Sequence, residues 1–247
     1  MVYMKQWMLE KFYRPMLFFF LLPIFYLILG NIFALSYDTF KFLGFISLYL
    51  FILTNQMLEN MLLRIPKNDF KISKPFFSGL ELLNVILLLY FGFQYSWLAA
   101  LVLLLYTLII QIQFVFSYYD LEYIVIFVAT FLKLILLNGF SFYTQTNFIH
   151  PRFIPIYLGL FIPFYLFEIS RTERKFKNIH LLGMLSLGYG IGIFFLWGYI
   201  GWKSLFLLLS FPFIGLFRTS FSRKNSSIFA FTFSLIYIGL CLLTLIN

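Results

Sequence analysis

Charged residues are scarce in this sequence: Asp, Glu, Lys and Arg make up 11% of its 247 positions, against roughly a quarter in an ordinary soluble domain. Cysteine is scarcer still. The single Cys241 excludes an intramolecular disulfide and any multi-cysteine metal site. The two histidines, His150 and His180, stand far apart and form no H-E-x-x-H or H-x-H pair, so each reads as an interfacial hydrogen-bonding residue rather than a metal ligand. A Walker loop, a G-x-S-x-G elbow and a dinucleotide fingerprint are all missing from the sequence, which leaves the chemistries they mark without a signature.

Hydrocarbon is what the chain has in quantity. Hydrophobic residues are 62% of it, Phe and Tyr number 37 and 17, and the mean hydropathy is +0.95. Such a composition belongs in a bilayer. Lipid offers no partner to a bare backbone N–H or C=O, so a spanning segment must be a helix of about 20 apolar residues or part of a closed barrel. Barrel strands alternate with period 2, whereas runs such as LNVILLL and LAALVLLLYTLII are apolar on every side, which selects helices. The expected fold is all-α: a polytopic membrane helical bundle with about nine transmembrane helices, near 15–36, 40–63, 79–95, 97–116, 123–143, 152–170, 180–200, 202–218 and 228–246. The first run has a basic flank reaching Arg14, a long core and no A-x-A site, and is expected to stay as a helix rather than be cleaved. With no linker, repeat or low-complexity segment, residues 1–247 read as one domain.

The net charge of +9 reports orientation rather than nucleic-acid binding. With loops assigned alternately to two sides, one side collects fourteen of the eighteen Lys and Arg, including Arg64, Lys67, Lys71, Lys74, Arg171 and Lys175. The other side has only Lys41, Arg152 and Lys203, and Lys133 falls inside a span. This bias predicts a cytoplasmic N-terminus and an external C-terminus in a cell (inner) membrane.

Ionisable groups within a bilayer are costly unless they face a partner or a wet cavity, so their positions carry information. Seven of the nine acids, Glu59, Asp69, Glu81, Asp120, Glu122, Glu168 and Glu173, fall at the ends of spans or in loops on the basic side. Asn55, Gln56, Glu59, Asn60 and Leu63 lie within about 140° on one helical face. On another helix end, Glu168, Arg171, Thr172 and Lys175 share about 100°. Carboxylates on two helices ringed by Lys and Arg suit a phosphate group, held directly or through Mg2+. The plainer alternative is that Glu168 and Arg171 neutralise each other and that the basic loops touch anionic lipid. Lys133 is expected to snorkel or to pair with a helix carbonyl; in an unrelated carrier it would be the ion-pathway residue.

These residues resemble a known family. Asn55-Gln56-Met57-Leu58-Glu59-Asn60-Met61-Leu62-Leu63-Arg64, followed by a basic loop closing on Lys74-Pro75-Phe76-Phe77-Ser78-Gly79, is similar to the N-D-x-x-D-x-x-x-D-R motif and R-P-L-P-S-G loop of the UbiA superfamily of intramembrane aromatic prenyltransferases. Glu168-Ile169-Ser170-Arg171, with Glu173 close behind, resembles the family's second acidic motif, and Ser117-Tyr118-Tyr119 resembles its tyrosine-containing stretch. Gln56 and Leu63 stand where the family has acids.

The resemblance implies a single prenyltransferase-like domain that transfers a polyprenyl group from a polyprenyl diphosphate to a lipophilic, often aromatic, acceptor. By the same likeness Glu59 and Glu168 would bind Mg2+, with Asp69, Asp120 and Glu173 as further ligands. Asn55, Glu59, Glu168 and Arg171 would form the catalytic set, and Arg64, Lys67, Lys71, Lys74, Tyr118, Tyr119 and Lys175 would hold the substrate. The alternative on the same scaffold is a catalytically degenerate isoprenoid-binding or lipid-binding protein, or a transporter; the loss of acids at Gln56 and Leu63 is compatible with a different metal count or with an inactive enzyme.

Overall fold

A computed structural model of the protein describes residues 14–62, 73–117, 122–150 and 153–171, together with 190, 192, 197–198, 201–202, 231–239 and 241–242. Every extended element among them is a helix. In chain order these are α1 (Arg14–Ala34), α2 (Phe42–Leu62), α3 (Lys74–Gln94), α4 (Trp97–Ser117), α5 (Glu122–Thr146), α6 (Ile154–Leu158) and α7 (Phe161–Arg171). Residues 231–239 are also helical. Phe42–Leu62, Lys74–Gln94 and Val125–Thr146 are long and apolar enough to cross a membrane, with shorter apolar stretches at Phe19–Ala34 and Trp97–Ile112.

The bundle is apolar on the outside. Leu82, Val85, Ile86, Leu89 and Phe93 of α3 are exposed, as are Leu98, Leu101, Leu105 and Ile112 of α4. So much bare hydrocarbon is untenable in water and ordinary in lipid. Polar side chains turn inward instead: Asn31, Asn55, Glu59, Asn84, Thr107, Lys133, Asn138, Ser141 and Glu168 are all buried. Together the helices mark a membrane protein.

At its centre α1 crosses α5 through small and polar residues. A Cβ on Gly30 would lie 2.0 Å from the Asn138 carbonyl oxygen, so only glycine permits this approach. Asn138 Oδ1 accepts from the Gly30 N–H at 3.1 Å, Asn31 donates to the Ser141 hydroxyl, and Ser141 donates to the Leu27 carbonyl at 3.0 Å. Each polar group buried at the crossing thus finds a partner for its donor.

Chain direction alternates from α1 to α5, and α6 and α7 together return toward the start of α5. The 35–41 loop is tied to the end of α5, because Lys41 exchanges two backbone bonds with the Gln145 amide, and the Tyr95 ring, closing α3, lies tilted against that of Tyr143 of α5. One end of the bundle therefore gathers the α1–α2, α3–α4 and α5–α6 connections. The opposite end receives the C-termini of α2, α4 and α7.

Local chemistry explains where helices stop. Ser96 caps α4 by accepting the Ala99 N–H at 3.1 Å, as N-caps do. Asn147 ends α5 with φ of 63° and donates its N–H to the Tyr143 carbonyl at 2.7 Å, the left-handed stop that Asn tolerates. Two span expectations need correction. The third helix begins at Lys74, five residues before the expected 79, because Pro75 sits in the first turn, where its missing N–H costs nothing. The expected sixth span, 152–170, is broken at Gly159–Leu160 into α6 and α7. Pro163 has no N–H for the Gly159 carbonyl four residues back and its ring would clash there. Tyr237, from the 231–239 stretch, donates its hydroxyl to the Ile156 carbonyl at 2.6 Å beside the break. Of the expected span 180–200 only residues 190, 192 and 197–198 are described, and of 202–218 only 202; within 228–246, residues 231–239 and 241–242 are described and helical.

Candidate functional site: a lysine between two glutamates

α5 carries Thr130, Lys133, Asn138, Ser141, Thr144 and Gln145 within about 140° of one face, and all six are buried. Lys133 sits eleven residues into α5, so at about 1.5 Å per residue its Cα lies roughly 16 Å from the helix start. Its stem, about 6 Å long, is too short to snorkel out. Side chains lean toward the N-terminus of their own helix, and this tilt aims Lys133 at the end of the bundle where α2 and α7 finish.

Glu59 and Glu168 meet it there. Lys133 Nζ lies 2.8 and 3.0 Å from the two carboxylate oxygens of Glu59 and 3.0 Å from Glu168 Oε1. Tyr26 of α1 donates its hydroxyl to the same Glu168 oxygen at 3.1 Å. Relative exposures are 4% for Lys133, 2% for Glu59 and 6% for Glu168, so the charges meet away from solvent. Tyr106 of α4 is buried within electrostatic reach of both carboxylates. The expectation that Lys133 snorkels or pairs with a helix carbonyl is therefore overturned: its ammonium joins the two glutamates. Tyr26 was also missed. The signal that marks Lys133 in the sequence is the polar stripe of α5, which shows only when the helix is read as a whole; Tyr26 carries no comparable signal among so many aromatics.

Asn55 and Gln56 lie one turn before Glu59 and do other work. Asn55 donates its amide to the Phe51 carbonyl at 2.9 Å and to Asn84 Oδ1 on α3 at 3.2 Å, and Asn84 in turn reaches Thr107 of α4 at 3.5 Å. This ladder ties three helices together. Gln56 donates to the Phe19 carbonyl at 3.3 Å, the group that Pro23 leaves without an N–H inside α1. Gln56 thus has a structural task. Asn55 Oδ1, Gln56 Oε1 and Thr130 Oγ1 are buried with no partner among the described residues.

Two further polar residues on the basic side of the sequence are described and do not reach this point. Lys74 is exposed at the start of α3. Glu81 accepts from Gln111 of α4 at 2.7 Å. Arg64, Lys67, Asp69, Lys71, Tyr118, Tyr119, Asp120, Glu173 and Lys175, and the side chain of Arg171, lie outside the described residues.

Could Glu59 and Glu168 hold Mg2+ as arranged here? A bridging metal needs carboxylate oxygens as ligands, and Lys133 already occupies both oxygens of Glu59 and one of Glu168. A Mg2+ 4 Å from the ammonium would be repelled by about 8 kcal/mol at an effective dielectric constant of 20. Among the described residues no group of three or more His, Cys, Asp or Glu side chains is placed to bind a metal. The described site therefore does not fit the ion while Lys133 stays where it is. Comparison with protein-family models, curated proteins and solved structures finds no match to this chain.

Proposed function

We propose that this chain is an isoprenoid-binding membrane protein on a UbiA-like scaffold, with nine spans, a cytoplasmic N-terminus and an external C-terminus. Its buried centre serves recognition and helix assembly rather than metal-dependent transfer. One observation carries the reading: Lys133 Nζ lies within 3.0 Å of oxygens from both Glu59 and Glu168, the positions where the resemblance puts the acidic motifs. The basic residues Arg64, Lys67, Lys71 and Lys74 supply the charge that a diphosphate head needs, and the tail would lie against the apolar side chains of the helices.

A second reading, a prenyltransferase acting on a polyprenyl diphosphate and an aromatic or other lipid-pathway acceptor, is favoured by the convergence of Glu59 and Glu168 on one point. It requires Lys133 to leave the carboxylates when Mg2+ and substrate arrive. The two separate in one experiment with purified protein in nanodiscs and labelled geranylgeranyl diphosphate. Binding equal in Mg2+ and in EDTA, without release of diphosphate, supports the first. Mg2+-dependent release that vanishes in Glu59→Gln and Glu168→Gln establishes the second. No binding under either condition removes the isoprenoid from both.

A further inference from the structure

Three carboxylate oxygens from two helices surround one point in the bundle, and a side-chain ammonium fills it. Oxygens around an ammonium stand at 2.8 to 3.0 Å here, whereas Mg2+ draws them to about 2.0–2.1 Å and commonly uses one or two carboxylates with water completing the shell. Contraction of less than about 1 Å separates the two coordination distances. Glu168 is held from a second direction. Tyr26 donates to it from α1, and α1 is locked to α5 at Gly30 and Asn138, so this carboxylate stays aimed at the point when its occupant changes. Unpartnered Thr130 Oγ1, one turn from Lys133, and unpartnered Asn55 Oδ1, one turn from Glu59, leave oxygen acceptors near the same region.

We propose that Lys133 is a tethered counter-cation standing in the position of a divalent metal, so that the wild-type centre is metal-independent, and that removing the lysine converts Glu59 and Glu168 into a divalent-cation site. The site is the one invoked in the proposed function. Because neither isoprenoid binding nor transfer enters the claim, failure of either leaves it standing.

The probe is Mn2+, an oxygen-seeking ion visible by electron paramagnetic resonance, titrated into nanodisc-embedded wild type, Lys133→Ala, Glu59→Gln and the Lys133→Ala/Glu59→Gln double variant without any lipid substrate. Lys133→Ala should bind one Mn2+ per chain at least about tenfold more tightly than wild type, a difference of about 1.4 kcal/mol in affinity. The double variant should lose that gain, and Mn2+ should raise the melting temperature of Lys133→Ala alone. A folded Lys133→Ala that binds no better than wild type overturns the proposal, as does a wild-type Mn2+ site that Glu59→Gln abolishes. Should Lys133→Ala stay unfolded with and without Mn2+, the wild-type titration decides: Glu59-dependent binding refutes metal independence, and its absence sustains it.

Discussion

Gln56 of α2 donates its side-chain amide to the Phe19 carbonyl of α1, which Pro23, four residues later in the same helix, cannot satisfy. The two helices are thereby joined at the place where one of them is locally defective. Replacing Gln56 with Glu, the acidic type of the motif it resembles, swaps a donor for an acceptor that faces another acceptor. The expected loss is about 1–3 kcal/mol, read as a lower unfolding midpoint in detergent. Pro23→Ala restores a backbone N–H that takes over the Phe19 carbonyl, so Gln56→Glu should cost markedly less in that background. Equal cost in both backgrounds would show that Gln56 acts some other way.

At Gly30, α1 closely approaches α5. Gly30→Ala would force a Cβ to within 2.0 Å of the Asn138 carbonyl oxygen and 2.9 Å of Ser141 Cβ, and both helices would have to part. A loss of about 1–3 kcal/mol is expected from overpacking of this kind. Gly79 on α3 is the control: an added Cβ meets nothing within 4 Å, and Ala there should be neutral or up to about 1 kcal/mol stabilising.

Tyr237→Phe removes the hydroxyl that Ile156 accepts at the α6–α7 break. That carbonyl also receives the Gly159 N–H at 3.1 Å, so the loss should be near about 1 kcal/mol. Thermal unfolding of the variant would measure it; no change would mean that Gly159 suffices.

The loop between α1 and α2 should respond to acid. Lys41, 3.0 Å away, and the Thr39 N–H hold the exposed Asp38 carboxyl below its ordinary value. A folded pKa below the unfolded one stabilises the loop above the ordinary carboxylate range and gives that up as pH falls through the lowered value. Hydrogen exchange at Thr39, corrected for intrinsic rate, should therefore accelerate as pH drops below the ordinary carboxylate range, and Asp38→Asn should flatten the profile.

Hydropathy made most of the described helices legible. The expected 97–116 and 123–143 match α4 and α5 within a few residues, because apolar length and bilayer thickness select the same segments. Breaks within apolar runs were harder to read, since the run around Pro163 is interrupted just before it, at Gly159–Leu160, while Pro23 is absorbed into a continuous helix. The difference is tertiary: Gln56 repairs the first turn of the defect at Pro23, and no local pattern announces a partner 37 residues away. Glu59 and Glu168 stood out as charges in hydrocarbon. Lys133 stood out equally, yet a single residue considered by itself does not reveal that two other helices present carboxylates to it. Charge pairing across a bundle depends on helix rotation and depth, which hydropathy does not encode.

The pairing itself is tested most directly by a double-mutant cycle on Glu59→Gln and Lys133→Met, with unfolding free energy measured for wild type, both singles and the double in one bicelle system. Truncating one member of a buried ion pair leaves the other uncompensated and costs about 3–5 kcal/mol. The triad predicts that the double variant is less damaged than the sum of the singles, with a coupling of at least about 2 kcal/mol. Additivity to within about 0.5 kcal/mol would place Lys133 and Glu59 apart and contradict the site.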